Sequence, residues 1–195
     1  MSATESRLVA EVERLAHTHA ADCYQCGKCT AGCPRGEVMD NGPTRLMRLV
    51  QTGAVEEAAR SESVWQCVSC LTCSTRCPKS VNVAGVLDAL RQISVERKIT
   101  AGRFVKTVQF QKEFLKNIRR NGRTNELELV AAWKIAGFFT DFNPLAAMKD
   151  AKLGLPMFVR GKLHFMPGSP VKDKALVRRI FDRCEADQSA GREKE

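Results

Sequence analysis

Through the first hundred residues, apolar positions recur at intervals of three and four, the period of an α-helix. Leu8, Val12 and Leu15 share one face, and Ser2 with Glu5 has the spacing of a capping box, so a first helix is predicted up to the break at His17-Thr18-His19. Gly42-Pro43 is a helix start, Leu46, Leu49 and Val50 supply its apolar side, and Gly53 stops it. A second short helix follows from Ala54 to Arg60. Neither segment shows the period-two alternation of a strand. Asn82 is predicted to cap a further helix whose Val83, Val86, Leu87, Leu90 and Ile93 form one stripe.

The second half continues in the same mode. Arg103 to Arg120 reads as a helix with Phe104, Val108, Leu115 and Ile118 in rough phase, ended by Asn121-Gly122. Glu126 to Phe139 reads as another, carrying Leu127, Val130, Trp133 and Ile135. Asp141-Phe142-Asn143-Pro144 is a break, and a short helical run then reaches Lys152. From Leu155 to Pro170, five prolines and glycines exclude a long helix, yet Leu155 to Met166 is apolar for a solvated loop. That stretch packs either on a partner or back on its own helices. Ser169 and Pro170 open a last helix on which Leu176, Ile180 and Cys184 share a phase, which predicts a buried Cys184; Gln188 to Glu195 is expected to fray. The expected fold is all-α, with a first module over 1–100 and a helical extension over 101–195.

The cysteines change this picture from a plain helical protein to a metal protein. Eight of the nine fall into two copies of one run, Cys23-x2-Cys26-x2-Cys29-x3-Cys33-Pro34 and Cys67-x2-Cys70-x2-Cys73-x3-Cys77-Pro78. This is the ligand pattern of paired 4Fe-4S clusters: three thiolates curl around three corners of one cube, and the displaced cysteine before proline serves the other cube. The expected sets are therefore Cys23, Cys26, Cys29 and Cys77 for a first cluster, and Cys33, Cys67, Cys70 and Cys73 for a second. Zinc knuckles seldom add a third cysteine two residues on. A disulfide framework requires an oxidising compartment, whereas Met1 leads into Ser2-Ala3-Thr4-Glu5 with no apolar signal core, so a reducing, cytoplasmic setting is expected.

Single residues near the runs invite roles. His17 and His19 precede Cys23, where an imidazole could reach a cluster sulfur or simply end a helix at the surface. Trp65 could shield the second cluster or pack in the core. Gly27 and Gly32 allow close backbone approach in the first run, while Ser69 and Ser74 are read as taking the matching positions of the second, so the two clusters need not share a potential.

Charge narrows the partners. The formal net charge of +9 falls to about +5 once two oxidised clusters of about −2 each are bound. Such a surface favours acidic partners. Nucleic acid is not expected, because neither an aromatic-interleaved basic stripe nor a helix-turn-helix signature accompanies the charge. No stretch approaches the roughly eighteen apolar residues of a membrane span.

The cysteine run is shared by many electron carriers, but here 33 residues, Pro34 to Gln66, separate the copies and read as helices rather than as the hairpins of small bacterial ferredoxins. With Cys23-Tyr24-Gln25-Cys26-Gly27-Lys28-Cys29 and Trp65-Gln66-Cys67-Val68-Ser69-Cys70-Leu71-Thr72-Cys73, this arrangement resembles the α-helical ferredoxin domain of the C subunit of heterodisulfide reductase. The iron-sulfur subunits of succinate dehydrogenase carry a plant-type run before this domain, and none precedes Cys23 in this chain. Fused glycolate or glycerol-3-phosphate oxidoreductase subunits carry Cys-Cys-Gly motifs after it, whereas only Cys184 follows Cys77. The resemblance implies a relay of electrons from a flavin-containing A-type subunit to a catalytic B-type subunit whose Cys-Cys-Gly motifs hold the clusters that reduce a disulfide. No catalytic residue is expected on this chain, since no nucleophile triad, phosphate loop or dinucleotide fingerprint is present. A relay in a related complex of sulfur metabolism or flavin-based electron transfer is one alternative, and an iron-sulfur regulator binding nucleic acid is another.

Overall fold

A computed structural model describes residues 2–126, 128–133, 171 and 173–193. The chain divides into two compact units, Met1–Val105 and Lys106–Glu195. Among the described residues every regular element is a helix.

The first unit contains seven α-helices: α1 (Ala3–Ala16), α2 (Lys28–Ala31), α3 (Pro43–Gln51), α4 (Val55–Arg60), α5 (Ser63–Gln66), α6 (Thr72–Thr75) and α7 (Val83–Glu96). Their boundaries follow from capping chemistry. Ser2 and Glu5 form the expected reciprocal box, and α1 stops where His17 turns left-handed at φ 50°. Pro43 opens α3 with no donor to waste. Asn82 caps α7 by accepting from the Gly85 N–H at 3.1 Å.

Helix α7 is the centre of the unit, lying against α1, α3, α4, α5 and α6. Its predicted stripe, Val83, Val86, Leu87, Leu90 and Ile93, is fully buried, facing Val12 and Ala16 of α1, Leu46, Met47 and Val50 of α3, and Val55, Ala58 and Ala59 of α4. Each large side chain contributes about 1.5–3 kcal/mol by leaving water. Gly85 lets α1 and α7 close: a Cβ there would lie 2.4 Å from the Asn82 side chain and 3.1 Å from the Ala16 carbonyl oxygen. Asn82 fastens that junction, its Nδ2 donating to Ala16 O at 2.9 Å and its N–H to the Thr18 hydroxyl at 3.2 Å.

The second unit contains α8 (Val105–Asn121), a helical stretch through 126 and 128–133, and the helix Lys174–Glu193. Helix α8 starts after a 3-10 turn at Gly102–Phe104, later than the pattern predicts, and Gly122 at φ 76° ends it. Its interior is not the expected stripe. Val108 is buried, but Leu115 is exposed and Asn117 is buried instead, because Asn117 Oδ1 accepts from the Asn125 N–H at 2.7 Å while its Nδ2 reaches Asn125 O at 3.3 Å. In the next segment Leu129 is buried and Val130 exposed, one position out of the predicted phase.

The last helix also departs from expectation. Asp173 caps it by accepting from the Leu176 N–H at 2.9 Å, the predicted opening at Ser169-Pro170 lying outside the described residues, and the helix runs to Glu193 rather than fraying at Gln188. Cys184 is exposed with Leu176 and Ile180. The opposite phase is the one engaged, since Arg119 of α8 pairs with Asp182 at 2.5 Å and Glu185 at 2.6 Å and lies over the Phe181 ring. Charged side chains, rather than the apolar stripe, meet α8 here. The predicted break at Asp141-Pro144 and the loop Leu155–Met166 lie outside the described residues.

One polar latch joins the segment after the first cysteine run to the segment entering the second. Asp40 Oδ1 accepts from the Ser61 hydroxyl at 2.8 Å, the Ser63 hydroxyl at 2.5 Å and the Ser63 N–H at 2.9 Å. Its Oδ2 accepts from the Glu62 N–H at 3.2 Å. Partial burial alone would raise this carboxyl, but those donors outweigh it and hold its pKa at about 2. The folded value lies below the ordinary 3.8, so the stabilisation is complete above about pH 4 and is lost as pH falls through 2. Asp40 is largely solvent-exposed, which screens the gain. Replacing Asp40 by Ala should therefore cost about 1 kcal/mol at pH 7, read from anaerobic denaturant unfolding. A stability equal to the parent's would show that the latch is idle.

Candidate metal centre

The two cysteine runs fold into the same local shape. Gln25 and Gly27 lie at φ 63° and 80°, and their counterparts Ser69 and Leu71 at 51° and 62°. Left-handed backbone costs a residue with a Cβ of order 1–3 kcal/mol, so its recurrence at the equivalent positions of both runs identifies a shape that the cysteines impose. The shape turns amide N–H groups onto sulfur. Ser69 N–H donates to Cys67 Sγ at 3.4 Å; beyond the run, after the left-handed Ser80, Val81 N–H donates to Cys77 Sγ at 3.3 Å. Gly27 and Leu71 then open α2 and α6, which carry Cys29 and Cys73 inward to 8% and 9% exposure, while Cys26 and Cys70 stay at the surface.

The true counterparts of Gly27 and Gly32 are Leu71 and Arg76, rather than Ser69 and Ser74. Gly32 and Arg76 meet: a Cβ at residue 32 would lie 2.6 Å from the Arg76 Cδ. The glycine thus makes room for the arginine where α2 and α6 pack.

Cys33 does not stay with its own run. It lines a cavity with Cys67, Cys70 and Cys73, walled by Pro34, Met39, Pro43, Leu71 and Leu87. The hydrogen bond to Cys26 and burial raise the Tyr24 pKa, and smaller contributions from the charges of Cys26, Cys77 and Cys23 set Cys77 near the first run. The last cysteine of each run thus lies near the other run.

Hydrogen bonds set the thiols apart. The Lys28 N–H pulls the Cys26 pKa down, helped by the Tyr24 hydroxyl and the Lys28 charge. At the equivalent Cys70 the Thr72 hydroxyl, 3.3 Å away, is the largest cause of lowering, followed by the Thr72 N–H. Burial raises Cys73. Cys29 Sγ lies 3.2 Å from the Thr44 hydroxyl, which also receives the Thr30 hydroxyl at 2.8 Å.

This donor set suits an iron-sulfur cluster. The cavity offers thiol sulfur inside an apolar wall, with backbone N–H groups aimed at sulfur, the environment of clusters held by soft ligands. Among the described residues no group of three His, Cys, Asp or Glu side chains closes on a single metal ion.

The neighbouring candidates divide. His17 ends α1 through its backbone, and His19 Nδ1 faces Glu13 at 3.5 Å from an exposed position, so both follow the surface reading. Trp65 is part-buried, stacked on Phe104 at 6.3 Å between centroids, with its indole N–H buried and unpartnered.

Two anchors were not legible in the sequence. Gln51 Nε2, from the end of α3, donates to Ala20 O at 2.8 Å and Cys23 O at 2.6 Å. Arg91, from α7, donates to Val64 O at 2.8 and 3.0 Å and to Cys67 O at 3.1 Å. They fall at unequal distances past their runs, so no repeat in the sequence marks them.

The family of 4Fe-4S dicluster domains matches residues 22–82. Relatives include the iron-sulfur C subunit of the CoB–CoM heterodisulfide reductase of Methanopyrus kandleri, 37% identical over 75 residues, which are 38% of this chain and 39% of that protein. The corresponding C2 subunit of Methanocaldococcus jannaschii is 31% identical over 105 residues, 54% of this chain and 56% of the relative. The C subunit of the ferredoxin:CoB–CoM heterodisulfide reductase of Methanosarcina acetivorans is 32% identical over 77 residues, covering 40% and 31%. The chain thus spans at most 56% of the length of these three relatives. No helix among the described residues is long and apolar enough to cross a membrane. Through its first half, which holds both cysteine runs and the helices that carry them, the chain is similar to the iron-sulfur C subunits of heterodisulfide reductases and carries a 4Fe-4S dicluster domain.

Proposed function

We propose that this chain is an electron-relay subunit of a cytoplasmic heterodisulfide reductase-like complex, holding two 4Fe-4S clusters and no substrate site of its own. The observation that carries the reading is the gathering of Cys33 with Cys67, Cys70 and Cys73 around one apolar cavity, mirrored by Cys77 at the first run. Cys23, Cys26, Cys29 and Cys77 would hold one cluster, and Cys33, Cys67, Cys70 and Cys73 the other. Bound there, the clusters supply one-electron carriers at two points of a single body.

The protein's own residues do the rest. Apolar walls exclude water, amide N–H groups stabilise thiolate charge, and α7 fixes the two sulfur sets in one frame. Each run leaves one cysteine, Cys26 or Cys70, at the surface, where a partner's carrier can approach. The rims differ. Tyr24, 58% exposed, stands with Lys28 beside Cys26, whereas Val68 and Leu71, 59% and 58% exposed, flank Cys70. Two such faces suit two partners, which we assign as a flavin-containing A-type subunit and a B-type subunit with Cys-Cys-Gly motifs. Residues 1–100 would be the cluster module and 101–195 an extension that docks a partner, with Leu155–Met166 as contact segment.

Two measurements test this. Cys77→Ala should disturb the cluster of the first run and the fold together, because ligation couples to folding; spectra that lose only the cluster of the second run would contradict the crossed assignment. The isolated chain should accept and donate electrons but reduce no disulfide, with turnover restored by both partners. Disulfide reduction by the chain alone, at the rate of the complex, would overturn the relay.

A further inference from the structure

The two runs are alike in their anchoring as well as in their backbone. Ala20 and Val64 each stand three residues before the first cysteine of their run, and in each run one side chain from a later helix binds the carbonyls of both that residue and the cysteine. The anchors occupy one structural position and differ in charge. In the first run it is the neutral amide of Gln51, whose Oε1 also accepts from Gln25 Nε2 at 3.0 Å. In the second it is the guanidinium of Arg91, whose side chain is 27% exposed, part-covered by the Trp65 ring at 5.9 Å and partnered by Asp88 at 3.0 Å. Asp88 Oδ1 completes the match by facing the Ser69 hydroxyl at 3.5 Å, the position equivalent to Gln25.

We propose that Arg91 is a positioning and potential-setting residue for the cluster of the second run, and that the exchange of amide for guanidinium at this shared position biases where an electron rests within the relay. A cation held against the Cys67 carbonyl stabilises the more negative, reduced form of the nearby cluster and raises its potential. Asp88, nearly half exposed, offsets only part of that field. A neutral amide supplies orientation without the field. Lys28 beside Cys26 puts positive charge near the first run as well, but on an exposed rim where solvent screens it. The inference concerns what each anchor does to its own cluster and rests on the two-cluster reading of the site.

Redox titration of the anaerobically purified full chain, followed by EPR, tests it, with iron and sulfide measured on each sample. Arg91→Gln should move one of the two components to lower potential and leave the other in place. Gln51→Arg should move the other component upward. Asp88→Asn, which keeps every Arg91 contact to the carbonyls, should raise the component that Arg91→Gln lowers, so the proposal stays falsifiable even where Arg91→Gln fails to fold. Arg91→Lys, keeping charge, should leave that component closer to its parental potential than Arg91→Gln does. Unchanged potentials in clusters of full iron content, or both components moving together in every variant, would overturn the proposal and leave Arg91 a structural anchor. A sample with fewer than two clusters' worth of iron in the parent protein would instead remove the two-cluster reading itself.

Discussion

The proposed exchange, in which each cysteine run gives its last sulfur to the cluster of the other, is the constraint that would organise the first unit. Under that proposal Cys33, which lines the cavity with Cys67, Cys70 and Cys73, serves the second run, and Cys77 returns toward Cys23 and Cys26. Two short runs cannot meet this demand unless the chain between them folds back, and α3, α4 and α5 are that return path. The latch of Asp40 on Ser61 and Ser63 closes it. Helix α7 then carries the returned end past α1, so its buried stripe is both the core and the ruler that spaces the two sulfur sets.

The same constraint explains the strained backbone. A left-handed turn is ordinary at Gly27 but not at Leu71, whose side chain is more than half exposed beside the cavity it helps to line. What compensates is sulfur: the turns aim the Ser69 and Thr72 N–H groups at Cys67 and Cys70. Local strain and the N–H bonds at Cys67, Cys70 and Cys77 are two sides of one arrangement.

Much of this was legible from residue order. The helices α1, α3, α4 and α7 followed from caps and from the 3.6-residue period, and the cysteine runs named the site chemistry outright. The second unit was less legible because several contacts among its described residues are polar. Asn117 is buried by pairing with Asn125, and Arg119 draws the last helix in by Asp182 and Glu185, leaving Cys184 and its apolar neighbours outside. Periodicity reads apolar stripes and is blind to such pairs. Gln51 and Arg91 were hidden for a related reason: they serve backbone carbonyls, which every residue possesses, so no motif announces the need.

The central claim is that the two sulfur sets interlock into one cooperative body. Anaerobic removal of iron with a chelator, followed at once by cluster absorbance and by hydrogen-exchange protection of the Val83–Glu96 amides, tests it most directly. Interlocking predicts that both clusters and the protection of α7 disappear in a single transition. Loss of one cluster while α7 stays protected and the other cluster stays intact would contradict the account.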